Sequence, residues 1–376
     1  MVSFIVPFLV SLAAALIATD QAPKPLSFTL NKHPKTSVVR PLRGGSVSDV
    51  QIEVASVNAN ARLFSDGEGY TINLGIIDED QQLSVLLDTG SADLWVDATK
   101  LNDTNGFTKV GIPFAIGYGY SSSVRGDYGT SSVWLENGLE VKDLRWVLAS
   151  DVQLNGTIYP GILGVGRVLN EATRSHYPNF PQKLKDNGLT TSNSYSYYLN
   201  KLGAATGNII FGGRDLAKVK GPVATINSNP KIGYDSVTVS KLTTSDGVSV
   251  KGFEGFLDTG TTLTFLPEEV ITSLNVTGVY VDQHSYYIAC DQPEDKYVSY
   301  WFDDAEIKVS YKDLALPETD DSGKLTGRCV YGLQAGPPYV FGDTFLRSAY
   351  ITTNHDTNQV LISAVEYTDE ENIVAI

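Results

Sequence analysis

Cysteine, methionine and histidine are scarce in this chain of 376 residues, which holds two, one and four of them. Cys290 and Cys329 are the only thiols and the histidines are scattered, so no zinc-ligand spacing exists; neither a metal nor another cofactor is expected. Basic side chains are also in deficit, 28 Lys and Arg against 43 Asp and Glu, for a net charge of −15. That balance argues against nucleic acid and anionic membrane as partners, since both call for a basic surface. Beyond the N-terminal segment no apolar run could span a bilayer, and the end EYTDEENIVAI lacks a lipid-anchor tail, so no membrane anchor is expected. A Gly-x-Ser-x-Gly elbow is missing, which disfavours a serine hydrolase, and His355-Asp356 reads as a solvated turn.

What is present is 42% hydrophobic and 19% charged, a globular composition rich in Tyr, Thr, Val, Ser and Gly. Those residues favour short strands and turns, hence an all-β fold with a few short helices. The opening MVSFIVPFLVSLAAALIATDQA has an apolar core followed by small residues and reads as a secretory signal peptide over 1–18. Sequons at Asn102, Asn155 and Asn275 suit a secreted glycoprotein. In an oxidising compartment one Cys290–Cys329 disulfide is the economical reading, with two buried thiols as the alternative. Residues 1–50 carry five basic side chains (Lys24, Lys32, Lys35, Arg40, Arg43) and two acidic ones, which leaves the rest at −18. A basic leader ahead of an acidic body suggests that the two meet, the alternative being a solvated leader.

The most informative feature is an internal duplication. Leu83-Ser-Val-Leu-Leu-Asp88-Thr-Gly-Ser91 matches Phe253-Glu-Gly-Phe-Leu-Asp258-Thr-Gly-Thr261. Each aspartate ends an apolar, strand-like run. Ile162-Leu163-Gly164 follows the first and Val340-Phe341-Gly342 the second at comparable spacing, so two similar lobes should face each other. Helices are expected near Pro181–Asn187 and Pro267–Leu274, and a lobe boundary near Gly212–Pro222.

Two carboxylates brought together cannot both ionise easily, so one acts as acid and the other as base at the same pH. The proposed chemistry is attack of a water held between Asp88 and Asp258 on a peptide carbonyl, with no covalent intermediate. Gly90 and Gly260 permit tight turns whose N–H groups face the carboxylates. Ser91 and Thr261 offer hydroxyls to the outer carboxylate oxygens, and Thr89 and Thr259 can lock the two turns together across the junction. A glycoside hydrolase would need its two acids farther apart.

These motifs resemble the pepsin family of aspartic peptidases. Asp88–Val96 is similar to its first active-site signature and Leu257–Leu263 to its second. Gly161–Gly166 and Tyr339–Tyr350 resemble its two glycine-bearing loops, and Ala205–Gly213 is similar to the candidapepsin-like yeast branch. The resemblance covers about 65–368. It implies a bilobal fold around a deep cleft, acid endopeptidase activity on proteins and peptides, inhibition by pepstatin-type compounds, and a monomer. It also implies a flap at about Phe114–Gly126, in which Tyr118, beside Gly119, hydrogen-bonds Trp95. Cys290–Cys329 matches the family's C-lobe disulfide. The leader becomes a propeptide over about 19–57, followed by an N-terminal lobe over 58–215 and a C-terminal lobe over 216–376. Release from the cell is expected, with vacuolar delivery or wall retention as variants. The chain departs from the pattern at the flap tip, Tyr120-Ser121, and in lacking an N-lobe disulfide loop at Lys100–Val110. A homologue that binds peptides without cutting them is the alternative reading.

Overall fold

The computed structural model describes residues 23–33, 69–118, 122–154, 159–320 and 324–376. The signal-peptide reading, most of the leader, Gly119, the Tyr120-Ser121 tip and Asn155 lie outside the described residues. The chain forms the expected mainly-β, bilobal, pepsin-like architecture.

One thirteen-stranded sheet runs through both halves of the molecule. Its centre holds Ser194–Tyr198, Thr206–Phe211, Leu26–His33, Gly69–Ile76 and Gln82–Asp88 in that spatial order. From Gln82–Asp88 it continues through Gly161–Gly164, Leu94–Asp97 and Glu140–Gln153 to the hairpin Thr108–Tyr118/Ser122–Leu135. In the other direction Ser194–Tyr198 pairs with Ala349–Asn354, which pairs with Gln359–Val365 and then Val219–Asn227. The second half adds a five-stranded and two four-stranded sheets.

The strand Leu26–His33 belongs to the segment read as leader. It pairs antiparallel with Thr206–Phe211 on one side and Gly69–Ile76 on the other. Its alternating apolar positions place Phe28 and Leu30 in the main core, where Leu30 is fully buried. Period-two alternation also fixes Ala305–Ser310, whose Ala305, Ile307 and Val309 are buried while Lys308 is exposed. Gly69–Ile76 is buried along almost its whole length, because it is paired on both edges and covered on both faces.

The expected helices form at Phe180–Asp186 and Glu268–Leu274. The first begins with Pro at its opening turn; the second has Glu268 and Glu269 in its first turn and ends on Asn275 in the left-handed conformation. A third short helix, Asp343–Leu346, follows Gly342. Asn102 and Asn275 are both exposed, which keeps each sequon accessible.

Cys290 and Cys329 are joined as a disulfide, tying the end of Ser285–Ile288 to Leu325–Tyr331 across a separation of 39 residues. From loop-closure entropy, replacing both by serine should cost about 4 kcal/mol of stability. A guanidinium unfolding series should show this as a lower midpoint with a steeper slope, because the unfolded chain without the cross-link exposes more surface.

Candidate active site

Both aspartates reach the lobe junction by the same route. Gln82–Asp88 lies parallel to Gly161–Gly164, with Asp88 opposite Gly164. Glu254–Leu257 lies parallel to Val340–Phe341, with Leu257 opposite Phe341. The threaded segments then grip the turns through the backbone. Val165 N–H donates to the Asp88 carbonyl at 2.9 Å and Gly166 N–H to Ser91 at 2.8 Å. In the second half Asp258 N–H donates to Phe341 at 3.1 Å and Asp343 N–H to Thr261 at 2.9 Å. Glycine is required where these segments pass: a Cβ on Gly342 would lie 2.3 Å from the Leu263 carbonyl oxygen, and one on Gly166 2.7 Å from that of Thr89.

The junction is locked by four reciprocal bonds. Thr89 N–H donates to Thr259 Oγ1 at 3.1 Å, and Thr259 N–H to Thr89 Oγ1 at 3.0 Å. Each hydroxyl donates onward to the other lobe, Thr89 to the Leu257 carbonyl at 3.2 Å and Thr259 to the Leu87 carbonyl at 2.9 Å. The carboxylates are held in matching fashion. Asp88 Oδ1 accepts from Gly90 N–H at 2.8 Å and Asp258 Oδ1 from Gly260 N–H at 2.8 Å. The outer oxygens accept from Ser91 Oγ at 2.5 Å and Thr261 Oγ1 at 2.6 Å. The two glycines also let the carboxylates approach one another. A Cβ on Gly90 would sit 2.5 Å from the Asp258 carboxyl carbon, and one on Gly260 2.7 Å from Asp88 Oδ1.

Asp88 is buried and Asp258 half-buried. Burial, then the charge of Asp258 and a hydrogen bond with it, hold the Asp88 carboxyl well above the ordinary range, against the lowering effect of Ser91 and Gly90. The pair therefore keeps one proton between its members at a pH where isolated carboxyls have lost theirs.

Tyr118, read as the flap tyrosine, lies beside Trp95. Trp95 Nε1 donates to Tyr118 Oη at 2.7 Å, and the rings lie 6.5 Å apart. Burial, then the Asp88 charge, push the phenol far up, so it stays neutral with its own hydrogen free to donate. Tyr118→Phe would leave the buried Trp95 N–H without its acceptor. Its kcat/KM on a peptide substrate should fall about tenfold, from about 1.4 kcal/mol of lost positioning.

Sequence reasoning missed the support behind the first turn. Asp93, read only as part of a signature, is buried and accepts from Tyr128 Oη at 2.9 Å, Tyr177 Oη at 2.7 Å and Ala172 N–H at 2.8 Å. Tyr128 belongs to the flap's return strand, so Asp93 ties the aspartate turn to the flap's base. Asn170 Nδ2 donates to the Gly90 carbonyl at 2.5 Å. No local pattern marks these contacts; all three partners of Asp93 lie far along the chain. The reading of His355-Asp356 as a solvated turn is corrected in part: the turn exists and Asp356 is exposed, but the half-buried His355 turns its ring inward, edge-on against Tyr195, with Nε2 3.0 Å from Asp235 Oδ2.

A coupled carboxyl pair at the junction of two β lobes, each member clamped by a glycine N–H and a hydroxyl, defines an aspartic endopeptidase. The family profile described as Eukaryotic aspartyl protease matches residues 69–365, and the chain belongs to that family. It is 33% identical over 317 residues to Candidapepsin-2 of Candida parapsilosis, spanning 77% of this chain and 74% of that one. Secreted aspartic protease 1 of Candida albicans is 30% identical over 364 residues, 88% of this chain and 89% of the relative. The crystal structure of the aspartic proteinase from Irpex lacteus shares the fold, with a TM-score of 0.66 at 19% identity, covering 80% of this chain and 95% of that one. Protein and peptide substrates follow from the family.

Proposed function

We propose that the protein is an acid endopeptidase in which Asp88 and Asp258 activate a water between them. The observation that carries this reading is the matched clamping of the two carboxylates, with Asp88 held above the ordinary range by burial and by its partner. The ionised member takes a proton from the water as its oxygen bonds to the peptide carbonyl carbon. The protonated member gives its proton to the carbonyl oxygen. Collapse of the tetrahedral species breaks the C–N bond: the leaving nitrogen takes a proton from the carboxyl that received one, and as the C=O bond reforms one hydroxyl of the tetrahedral carbon returns its proton to the other carboxylate. The dyad is thereby restored to its singly protonated form.

We further propose that the chain is secreted and made as a zymogen, with the boundaries 19–57, 58–215 and 216–376. Names of relatives such as Secreted aspartic protease 1 support secretion. The basic leader and acidic body support pairing of the two at neutral pH, and the strand Leu26–His33 gives the leader a seat in the central sheet. Acid would protonate the body's carboxylates and loosen that seat. The site is complete within one chain, in keeping with a monomer, and its water-activating pair suits pepstatin-type inhibitors.

Hydrolysis of denatured haemoglobin, followed from strong acid to neutrality with and without pepstatin, tests the reading. Turnover confined to acid and stopped by pepstatin is expected. Absence of turnover after confirmed loss of the leader would point to a peptide-binding homologue instead. Appearance of normally processed protein from Asp88→Asn would rule out self-cleavage.

A further inference from the structure

Behind the catalytic loops lies a charged cluster that the reaction as written does not use. Arg167 Nε donates to Asp235 Oδ1 at 2.7 Å and Arg167 Nη1 to Asn358 Oδ1 at 2.8 Å. His355 Nε2 lies 3.0 Å from Asp235 Oδ2, and Tyr195 Oη is 3.4 Å from the same oxygen. The side chains of Arg167, Asp235 and His355 are 7%, 2% and 8% exposed, so the cluster is interior.

Its attachment points matter more than its charges. Arg167 directly follows Gly166, whose N–H holds the Ser91 carbonyl in the Asp88 turn. The Asp235 carbonyl accepts from Leu257 N–H at 3.2 Å, one residue before Asp258. His355 and Asn358 come from the turn joining Ala349–Asn354 to Gln359–Val365. The cluster thus spans from the backbone grip on one aspartate to the backbone grip on the other.

We propose that Arg167, Asp235 and His355 form a positioning element for the reaction, fixing the separation and orientation of the Asp88 and Asp258 turns. Two observations favour this over a purely stabilising role. Buried ions are costly, and apolar pairs of similar size often hold a fold as well or better. A half-open pocket of about 190 Å³, lined by Arg167, Val168, Leu169, Asn193, Pro230 and His355, flanks the cluster, so on that side directional polar contacts rather than packing hold these side chains. Burial pushes the Asp235 carboxyl up, but His355 and Arg167 more than offset this and hold it below the ordinary range, so the cluster keeps its anion in acid.

The proposal rests on the dyad reading, and its test separates the two. The mature enzyme and the variants Arg167→Met, Arg167→Lys and Arg167→Met/Asp235→Leu are compared for kcat, KM and guanidinium midpoint, with active molecules counted by pepstatin titration. Arg167→Met should be destabilised; the double variant, in which neither Arg167 nor Asp235 is left facing a missing partner and only His355 loses one, should recover most of its midpoint. Its kcat per titrated site should nevertheless stay about 30- to 100-fold below wild type with KM within about threefold, the size expected of a small misplacement at the reacting centre. Arg167→Lys keeps the charge but not the planar fork, and should fall between. A double variant with wild-type kcat, or losses explained entirely by fewer titratable sites, would overturn the proposal while the dyad reading stands. Wild-type protein without pepstatin-sensitive turnover would fail the dyad reading, and this proposal with it.

Discussion

Replacing Asp88 or Asp258 by asparagine should lower kcat/KM on a denatured protein substrate by about 10⁴-fold, the upper end of what positioned proton transfer contributes. The loss is that large because the amide can neither take a proton from water nor exchange one with its partner. Folding should survive. In Asp88→Asn the amide oxygen can accept from Gly90 N–H, and the amide nitrogen can donate to Ser91 once its hydroxyl turns, so the two clamps at 2.8 and 2.5 Å persist with one reversed. Burial and Asp258 already disfavour the charged form of Asp88, so the neutral amide should leave the neutral-pH unfolding midpoint unchanged or raise it. Activity and stability are therefore expected to move independently. A variant keeping a hundredth of wild-type turnover would sink the assignment.

Thermal stability should fall as pH rises from acid towards neutrality and beyond, and Glu171 should account for much of the slope. Glu171 is buried, and burial is the main cause of a carboxyl pushed up to about 9, with the nearby Asp93 charge adding to it and the Tyr177 N–H bond and Arg145 opposing it. Between the ordinary glutamate value of 4.5 and about 9 the folded state holds a proton that the unfolded state has released. Stability from this group is thus complete below the unfolded value and is lost as pH climbs through the folded one. Asp235 works with the opposite sign: its depressed carboxyl stabilises the fold above the unfolded value, and that contribution is lost as pH falls through the folded one. Together they place the stability maximum on the acid side of neutrality, where a body of net charge −18 also repels itself least. Melting midpoints measured across that range should decline towards alkaline pH in wild type and flatten in Glu171→Gln. An equal decline in both would remove Glu171 from the account.

The parts legible in the sequence are those that repeat or are local. The duplicated Asp-Thr-Gly turns announced both carboxylates, their hydroxyl partners and the threonine lock, because each bond is made within a four-residue motif or between the two copies of it. The two helices lay where Pro181 and Pro267 with its glutamates suggested, within a residue or so at each end. The Asp93 and Asp235 contacts were not legible. Asp93 sits in a turn-forming string, and its burial becomes reasonable only once Tyr128 and Tyr177 converge on it. Asp235 and His355 stand 120 positions apart, each surrounded by residues typical of exposed turns. The leader strand was half legible: LSFTLNKH alternates as a strand should, yet its neighbours at Thr206–Phe211 are set by tertiary pairing alone.

The shared sheet also limits how the molecule can be divided. Ser194–Tyr198 from the first half and Ala349–Asn354 from the second are neighbours, paired from Ile351 opposite Tyr197 to Asn354 opposite Ser194. Cut between the lobes and expressed as separate pieces, each half would carry one of these strands as a raw edge, its amides and carbonyls unmatched and its apolar face uncovered. Such edges recruit other chains. The halves should precipitate or swap strands when made alone, and regain solubility when produced together, so the repeat forms one foldable unit rather than two.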